Sequence, residues 1–514
     1  MVDTYPPPAT RRLIALSVMA AAIMNQVDTT IANVALPHMQ GTTSASREQI
    51  TWVLTSYIIA LAIFTPMTGW LAGKIGRRRL LLSSIVGFTF FSGLCGISTN
   101  LDELILFRLL QGAAGSALVP MSQATLFDIN PPDQHGKAMS VFGLSGILGP
   151  IAGPLLGGWL TENWSWHWVF LINLPIGAAA FIGLSATMPE SREANLRPFD
   201  MFGFLSLAVG IGSLQLLLDR GQLLDWFQSW EICAEATLSA TALVVFLIHV
   251  LTVPRPFVQL AIFKDRNFVI CTLLGFSIGV ILFGISSLLP PMLTGMLAFP
   301  VIAVGMVMAP RGLGNVVTTP LVSLLFNRID PRIMMFCGMV ACGAATYQLS
   351  GMSLQSGDWA VMVAGFLNGV GSTLIFIPIS TVAFATLPRD LRNDGAAIST
   401  LVRYLGSAVG ISILQIMTYR NEAVVQSRLT ETVRPDNPMI DWRMPWFDQI
   451  APDALARADL EIVRQATMVS YVDAFWALFM VSLCFAPLIF FLRVAPPDRK
   501  AAPSEQPPVN AIAE

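Results

Sequence analysis

The feature that most constrains this chain is a long series of apolar windows, each long enough to cross a lipid bilayer. A membrane-spanning helix needs about 20 consecutive, mostly apolar residues. Of the 514 residues, 54% are hydrophobic and only 12% are charged, whereas soluble proteins carry about 25% charged residues. The sequence therefore predicts an all-α integral membrane protein whose fourteen transmembrane helices cover residues 13–37, 51–73, 80–98, 103–127, 137–160, 167–187, 200–218, 230–252, 267–290, 298–326, 333–351, 359–385, 395–418 and 469–493.

The distribution of lysine and arginine predicts how the chain is oriented in the membrane. Cytoplasmic loops carry the excess of these residues near helix ends. With the N-terminus inside, the inner loops hold basic clusters such as Lys74 with Arg77 and Arg78, while the short outer loops hold only Arg47 and Arg220. Both termini are therefore predicted to be cytoplasmic.

The order of the windows predicts two bundles of six helices with an inserted pair between them. Internal repeats of this kind are typical of secondary transporters, in which the substrate site lies near the bilayer midplane between the repeats. The inserted pair has no charge near its centre, so we expect it to be peripheral to the transport pathway. The predicted segments are a cytoplasmic N-terminus (1–12), a first bundle (13–187), linkers with the inserted pair (188–266), a second bundle (267–493) that includes a long outer loop (419–468), and a disordered cytoplasmic tail (494–514).

Several classes of function find no support in the sequence. The formal net charge of -2 gives no basic surplus for binding nucleic acid, and the six cysteines lack metal-ligand spacing. A G-x-S-x-G match at 275–279 lies inside an apolar window instead of a strand-to-helix turn, and no G-x-x-x-x-G-K-[ST] phosphate loop occurs. We therefore expect no enzymatic activity, metal or cofactor, and an ion gradient as the energy source.

The segment between the second and third windows combines glycines with basic residues. It reads GWLAGKIGRRR over 69–79, and its glycines allow a tight turn and a close approach of two helices. This pattern resembles the G-x-L-a-D-r-x-G-r-r loop signature of the major facilitator superfamily, although Gly73 stands at the acidic position. Asp128 at the cytoplasmic end of helix four is the candidate substitute partner of Arg77. The residues predicted to form this cytoplasmic latch are Gly69, Gly76, Arg77, Arg78 and Asp128.

Helix five carries small residues spaced four apart, which permit close helix packing in a bilayer. Its sequence G-x-x-x-G-P-x-x-G-G resembles the antiporter signature of the same superfamily, which is found in exporters much more than in importers, with Ser140 where a first glycine is usual. We expect Gly153 and Gly157 to face a helix of the other bundle. The motif consists of Gly149, Gly153, Pro154, Gly157 and Gly158.

Two polar motifs lie within the first and fourth windows, where an ionisable side chain is costly and by default marks a functional site. Helix one contains DTTIANVALP over 28–37, with Asp28 and Asn33, and helix four contains RLLQGAAG over 108–115, with Arg108 and Gln111. The first motif resembles the signature of fourteen-helix drug:proton antiporters of the EmrB/QacA type, and the second resembles a signature associated with proton coupling. We therefore predict that these four residues form the proton-coupling or substrate site, with Asp28 as the proton carrier and Arg108 as its modulator.

The resemblance covers about residues 11–495 and implies a proton-coupled antiporter of the bacterial inner membrane that exports hydrophobic, amphipathic or cationic drugs by alternating access. Besides substrate, protons and the lipid bilayer, it implies a periplasmic adaptor and an outer-membrane channel as candidate partners, and no nucleic acid. Arg311, Arg403 and Asp473 are secondary candidate residues. A narrow-substrate exporter, an importer on the same fold and a non-transporting membrane scaffold are the alternatives.

Overall fold

The structure, a computed structural model, describes residues 6–131, 135–190, 199–254, 256, 258–325, 328–388, 391–433 and 452–493. These residues form helices joined by short connections, and no strand occurs among them. The predicted all-α fold is confirmed. The predicted tail 494–514 and residues 191–198 of the first linker lie outside the described residues.

Long helices, which we number α1 to α14, account for most of the described residues. Thirteen of them have the length and mean hydropathy of membrane spans, and α5 completes the series. In chain order they are α1 (Pro8–Thr43), α2 (Trp52–Ile75), α3 (Arg77–Cys95), α4 (Leu101–Gly115, continued by Leu118–Ile129), α5 (His135–Asn163), α6 (Trp168–Thr187), α7 (Met201–Arg220), α8 (Trp230–Thr252), α9 (Arg266–Gly295), α10 (Val301–Met308, continued by Pro310–Leu325), α11 (Pro331–Ser350), α12 (Asp358–Ala385), α13 (Arg392–Thr432) and α14 (Pro452–Phe485). Shorter helical segments are Arg47–Ile50, Trp226–Gln228, Leu260–Lys264 and Ala486–Phe491.

The last two long helices extend well beyond the apolar windows that predict them. The loop predicted over 419–468 is helical at both ends, since α13 continues to Thr432 and α14 begins at Pro452. The apolar windows end where charged residues begin, but the Ala, Gln, Glu and Arg residues of these segments are good helix formers in water. Apolar content therefore locates the part of a helix that suits the bilayer and not the end of the helix itself.

The helices pack into two bundles. In the first bundle α1 packs against α5 and α6, and α3 packs against α4; in the second, α9 packs against α13, and α11 against α12. The bundles touch through the pairs α1–α9, α2–α13 and α5–α10, and the inserted helices α7 and α8 pack against each other. We call the end of the molecule that carries Arg11 and Arg493 the terminal end, and the opposite end, where α1 finishes at Thr43, the distal end.

The glycines of α5 form two different surfaces, and the first of them corrects the expectation that Gly153 and Gly157 face the other bundle. A Cβ atom on Gly153 would overlap the side chain of Thr30 in α1, a helix of the same bundle, and Gly149 and Gly157 face α1 as well. Thr30 Oγ1 also donates a hydrogen bond to the Gly149 carbonyl oxygen at 2.9 Å. Because residues four apart share one helix face, this glycine row seats α1 within the first bundle.

The contact with the other bundle uses a neighbouring face of α5. A Cβ atom on Gly158 would lie 2.8 Å from the carbonyl oxygen of Val301, at the start of α10. A Cβ atom on Gly305 would likewise overlap the carbonyl oxygen of Pro154. These contacts lie at the distal end, where α5 finishes and α10 begins. In this conformation Gly158 and Pro154 therefore hold the distal ends of the two bundles together.

Leucine at Gly153 and leucine at Gly158 should have different effects. Gly153→Leu forces α1 away from α5 inside one bundle, and overpacking of this kind costs about 1–3 kcal/mol, so we expect less folded protein and a lower unfolding temperature. Gly158→Leu should leave the folded fraction nearly unchanged while it prevents the distal α5–α10 contact. Thermal unfolding and labelling of the distal end by a thiol reagent measure the two effects. An equal loss of folded protein in both variants would contradict the assignment of the two surfaces.

Candidate proton-coupling site

Asp28 lies within α1 and has no solvent exposure. Its Oδ2 accepts a hydrogen bond from Nη1 of Arg108 in α4 at 2.6 Å, and Arg108 is completely buried as well. Removing two charges from water is costly, and their attraction offsets this cost only when the remaining polar atoms are also hydrogen-bonded. The structure thus brings the predicted acid and the predicted arginine into direct contact and requires further partners around them.

The second oxygen of Asp28 is held by two amide groups. Gln111 Nε2 donates to Oδ1 at 3.0 Å, and Asn173 Nδ2 of α6 donates to the same oxygen at 2.8 Å. The Asn173 amide also donates to Ser92 Oγ of α3 at 2.9 Å, and Ser92 Oγ donates to the carbonyl oxygen of Phe170 at 2.9 Å. One carboxylate in α1 is therefore bound by groups from α4 and α6, and indirectly by α3.

Arg108 is oriented by three further groups. Its Nε donates to the carbonyl oxygen of Val53 in α2 at 3.0 Å, and Nη1 also donates to Gln111 Oε1 at 2.9 Å. The guanidinium carbon lies 4.0 Å from the centre of the Tyr57 ring, which is a cation–π contact. Among the described residues Nη2 has no hydrogen-bond partner, so the guanidinium keeps one unused donor group.

This arrangement can exchange a proton for a positive charge. While Asp28 is ionised, Arg108 and the two amide groups stabilise it through charge-assisted hydrogen bonds. A proton on Oδ2 would compete with Arg108 for the same oxygen, so withdrawal of the guanidinium favours proton binding and its return favours proton release. The partners described above all belong to the first bundle.

Two other predicted residues lie outside this cluster. Asn33 is buried on α1, and its amide donates to the carbonyl oxygen of Thr29 on the same helix at 3.5 Å. Arg403 of α13 lies over the rings of Phe376 and Tyr404, at 5.0 and 5.2 Å from their centres. Asn33 therefore hydrogen-bonds within its own helix in this conformation, and Arg403 makes aromatic contacts in the second bundle.

Asp473 and Arg311 also lie in the second bundle. Asn421 Nδ2 donates to Asp473 Oδ2 at 3.3 Å, where α13 packs against α14. Arg311 Nη1 donates to Ser286 Oγ at 2.6 Å, and Arg311 borders a largely apolar cavity that also contains Asn368. Neither predicted residue joins the buried cluster of the first bundle.

The loop between α2 and α3 contains the contact predicted to replace the missing acid. Gly76 has a φ angle of 96°, in the region that favours glycine. Arg77, which follows it, forms an ion pair with Asp128 in the last turn of α4. Arg78 donates to a backbone carbonyl oxygen near the end of α6. Gly69 differs from the expectation of a close approach, because among the described residues no other helix places an atom within 4 Å of the position of its missing Cβ.

Sequence reasoning misses Asn173, Ser92 and Tyr57, which belong to the cluster. Each is a polar side chain inside an apolar window, and this is the signal that could have identified it. Serine and tyrosine are weak signals, since small and polar residues commonly pack between membrane helices. Asn173, in the stretch LINLP, is the stronger signal because a buried amide needs several hydrogen-bond partners.

Removal of the Arg108 charge should destabilise the first bundle. Arg108→Ala leaves the Asp28 carboxylate buried without its cation, and breaking a buried ion pair in this way costs about 3–5 kcal/mol. Combining Arg108→Ala with Asp28→Asn should recover much of the loss, because no uncompensated charge remains. Thermal unfolding of the single and double variants measures the coupling, with Arg403→Ala as the matched arginine control. If Arg108→Ala unfolded at the wild-type temperature, the pair would not be holding the bundle together.

Comparison with known proteins places the chain in a family. Residues 18–411 match the Major Facilitator Superfamily. The chain is 33% identical to the multidrug export protein EmrB of Haemophilus influenzae, over 94% of this chain and 95% of that protein. It is 36% identical to the fatty acid resistance protein FarB of Neisseria gonorrhoeae, over 84% of this chain and 86% of that protein.

Solved structures share the fold at much lower sequence identity. A bacterial homologue of the lysosomal transporter Spinster, in an inward-facing and unoccupied conformation, matches with a TM-score of 0.60 and 16% identity, over 96% of this chain and 100% of that chain. A D-xylose-proton symporter matches with a TM-score of 0.60 and 14% identity, over 94% of this chain and 97% of that chain. The chain therefore belongs to the major facilitator superfamily, a family of membrane transporters and not of enzymes, and is related to multidrug exporters of the EmrB type.

Proposed function

We propose that this protein is a proton-coupled antiporter of a bacterial inner membrane that exports hydrophobic, amphipathic or cationic compounds by alternating access. Its relatives carry names of this kind: besides multidrug export proteins they include the colistin resistance protein EmrB of Acinetobacter baumannii, 28% identical over 88% of this chain. The observation that carries the proposal is the ion pair of Asp28 and Arg108. A fully buried, polar-bound carboxylate within a membrane helix has no use in simple packing, because an apolar residue would fill the space at lower cost.

The same proposal fixes the orientation of the molecule. Lys74 and Arg77 lie at the terminal end, and basic residues next to helix ends favour the cytoplasmic side. We therefore infer that both termini are cytoplasmic and that the distal end faces outward. Gly158 and Gly305 bring the distal ends of the two bundles into contact in this conformation, and we infer that closure of this end belongs to the state that loads substrate from the cytoplasm. The ion pair of Arg77 with Asp128 then acts as the cytoplasmic latch.

The proposed cycle alternates a proton and a positive charge at one carboxylate. In this cycle the described conformation, with 2.6 Å between Asp28 Oδ2 and Arg108 Nη1, is the one in which Arg108 occupies the carboxylate. After the substrate has left outward, a proton from outside binds Asp28 and displaces the guanidinium. Closure of the distal end and return of Arg108 then release the proton to the cytoplasm. A cationic substrate near Asp28 favours release in the same way, by Coulomb attraction to the ionised form.

A narrower candidate function, export of long-chain fatty acids, is favoured by one feature of the second bundle. Arg311 borders a cavity otherwise lined mostly by apolar residues, and no carboxylate of the described residues forms an ion pair with it. The cavity has a volume of only about 20 Å³ in this conformation, so a fatty-acid chain requires it to widen. A guanidinium beside apolar walls suits an amphipathic carboxylate, and FarB is named for fatty acid resistance. If this second function holds, Arg311→Gln should lower the survival of cells in a long-chain fatty acid several-fold and leave their resistance to cationic dyes unchanged. Equal losses for both compound classes would favour a structural role of Arg311.

Import on the same fold and a non-transporting scaffold are separated from export by direct assay. Inverted membrane vesicles are given substrate in the outer solution and then a pH jump. They should accumulate the compound if the chain exports it. An importer would deplete it, and a scaffold would do neither. We also propose a periplasmic adaptor and an outer-membrane channel as partners, which co-purification from cross-linked cells would test.

Asp28→Asn keeps the shape of the side chain but cannot bind and release a proton. We therefore expect purified wild-type protein at about pH 7 to release protons when a substrate drug is added, and the Asp28→Asn variant to release none. Asparagine keeps one acceptor oxygen but loses the charge that balances Arg108, so the variant should be less stable, and drug binding, which we expect it to retain, is measured on its folded fraction. A pH-sensitive dye in weakly buffered solution measures the release, and quenching of tryptophan fluorescence measures binding.

Asp473→Asn is the matched control for this experiment. Asp473 lies in a membrane helix and accepts a hydrogen bond from an asparagine, but it is remote from Arg108 in the fold. Its variant should release protons as the wild type does. Unchanged release from Asp28→Asn would remove Asp28 from the mechanism and direct attention to Asp473 or Asp128.

A further inference from the structure

A second polar cluster forms around Asp219 at the end of the inserted helix α7. Its Oδ2 accepts a hydrogen bond from Thr55 Oγ1 of α2 at 2.8 Å. Its Oδ1 accepts from Gln215 Nε2 at 2.9 Å and also from Ser412 Oγ of α13. The three donors are buried, with 1% exposure for Thr55, 4% for Gln215 and 3% for Ser412. The expectation that the inserted pair is peripheral does not describe this end of α7.

Asp219 differs from Asp28 because no cation pairs with it among the described residues. Its sequence neighbour Arg220 forms ion pairs with Glu231 and Glu235 of α8 instead. Arg420 of α13 donates to Gln222 at 3.0 Å. The part of α2 that faces Asp219 carries no charged residue between Trp52 and Met67. Hydroxyl and amide groups are thus the described partners of this carboxylate.

The cluster joins three parts of the molecule that must move relative to one another. Thr55 belongs to the first bundle, Ser412 to the second and Asp219 to the inserted pair. The contact lies in the distal half, near the start of α2 and the end of α7. In alternating access the distal ends of the two bundles separate around the substrate site. Opening of this end therefore takes at least one hydroxyl group away from the carboxylate and admits water to it.

We propose that Asp219 is a second proton-binding site, which takes a proton from the outer solution as α2 and α13 close over it and returns the proton there when they part. The inference rests on the proposed orientation, in which the distal end faces outward. The proton forms an O–H bond to one carboxylate oxygen, and the neutral acid can then donate to the hydroxyl oxygen of Ser412 or Thr55. Asp219 would thus set how readily the emptied transporter closes toward the outside.

The direction of this effect follows from the cost of burying a charge. In the open state water surrounds the carboxylate and stabilises its ionised form. Closure replaces the water with three neutral donors and supplies no cation, so the ionised form becomes costly and the protonated form is favoured. An acidic exterior therefore stabilises the closed state, which is the state that accepts a new substrate from the cytoplasm. Asp28 carries the coupled proton, and Asp219 links closure to the external pH.

The distance between the distal ends of the bundles tests the proposal. Spin labels at the exposed positions Trp164 and Tyr419 report the opening of the full-length chain in lipid nanodiscs. The exposed cysteines are first replaced by serine; they are Cys233, Cys337 and Cys484. All variants are compared in the Asp28→Asn background, because the proposed cycle protonates Asp28 in the open state and so gives it a pH response of the opposite sign. With the other positions wild type, we expect the ratio of closed to open molecules to rise as the pH falls, by up to about tenfold per pH unit within the range in which one site titrates. Asp219→Asn in the same background cannot ionise at this site, so its closed fraction should be high and independent of pH.

Glu235→Gln is the matched control, because Glu235 is an acid of the inserted pair that has a cationic partner. This variant should keep the wild-type pH response. Ser412→Ala removes one donor to the ionised carboxylate, so its closed fraction should fall below wild type at high pH and match wild type at low pH. A wild-type pH response in Asp219→Asn would overturn the inference.

The proton-release assay separates this inference from the proposed function. Asp219→Asn should still release protons on addition of a drug, because Asp28 is unchanged in it. If Asp28→Asn abolished that release while Asp219→Asn had the wild-type distance response, the antiport mechanism would stand and the second site would be rejected. If the Asp219→Asn response were lost but Asp28→Asn still released protons, the second site would stand without the proposed coupling.

Discussion

The burial of one carboxylate with one guanidinium determines much of the first bundle. Lipid offers no hydrogen bonds, so the polar atoms of Asp28 and Arg108 depend on partners within the protein. All of them except Nη2 of Arg108 have such a partner among the described residues. The partners come from four other helices: Val53 of α2, Gln111 beside Arg108 on α4, Asn173 of α6, and Ser92 of α3 behind it. The positions of these helices relative to α1 are therefore tied to two side chains. Loss of either charge leaves the other without compensation, which is why the pair acts as a unit.

The contacts between the bundles have a different chemistry. Among the described residues no ion pair joins the first bundle to the second, and at Gly158 and Gly305 of the distal end the backbones approach so closely that a Cβ atom would not fit. Backbone contacts of this kind are short-range and are lost by a small separation, since dispersion falls off steeply with distance. The helices of the first bundle are held together by a buried ion pair, and the bundle meets its neighbour at the distal end through backbone contacts. Such a bundle can move as a rigid unit. That combination suits alternation between two states.

Much of this organisation can be read from the sequence, and the part that cannot has a physical reason. The apolar windows locate the membrane helices, and Asp28 and Arg108 are visible because a charge in an apolar window demands an explanation. The helix that packs against the α5 glycines cannot be predicted from the sequence. A spacing of four places Gly149, Gly153 and Gly157 on one helix face but does not identify the helix that packs there. Asn33 fits the same motif as Asp28 but contacts its own helix, because five residues turn it to a different face.

Asp219 shows why position along a window is a poor guide to the contacts of a side chain. Its place at the end of α7, next to Arg220, is typical of a solvated turn. Its hydrogen-bond partners come instead from α2 and α13, which lie far away in sequence and supply Thr55 and Ser412. A sequence pattern describes one helix at a time. The partners of a residue at a helix end depend on how three helices meet, and that information is tertiary.

Each bundle contains an equivalent contact between a glycine and a backbone carbonyl oxygen, but the side chains beside this contact differ between the two bundles. In the first, Gly112 of the fourth helix faces the carbonyl oxygen of Tyr57 in the second helix; in the second, Gly369 of α12 faces the carbonyl oxygen of Arg311 in α10. With α7 and α8 set aside, α10 and α12 are the second and fourth helices of their bundle, so the contacts correspond. In the first bundle the residue at this contact is Tyr57, whose ring stacks on the ion-paired guanidinium of Arg108. In the second bundle the corresponding residue is Arg311, whose guanidinium has no carboxylate partner among the described residues. The same helix packing therefore lies beside a charge-balanced pair in the first bundle and, in the second, beside a cation for which the described residues supply no counter-charge, so the two bundles differ in charge where they agree in backbone.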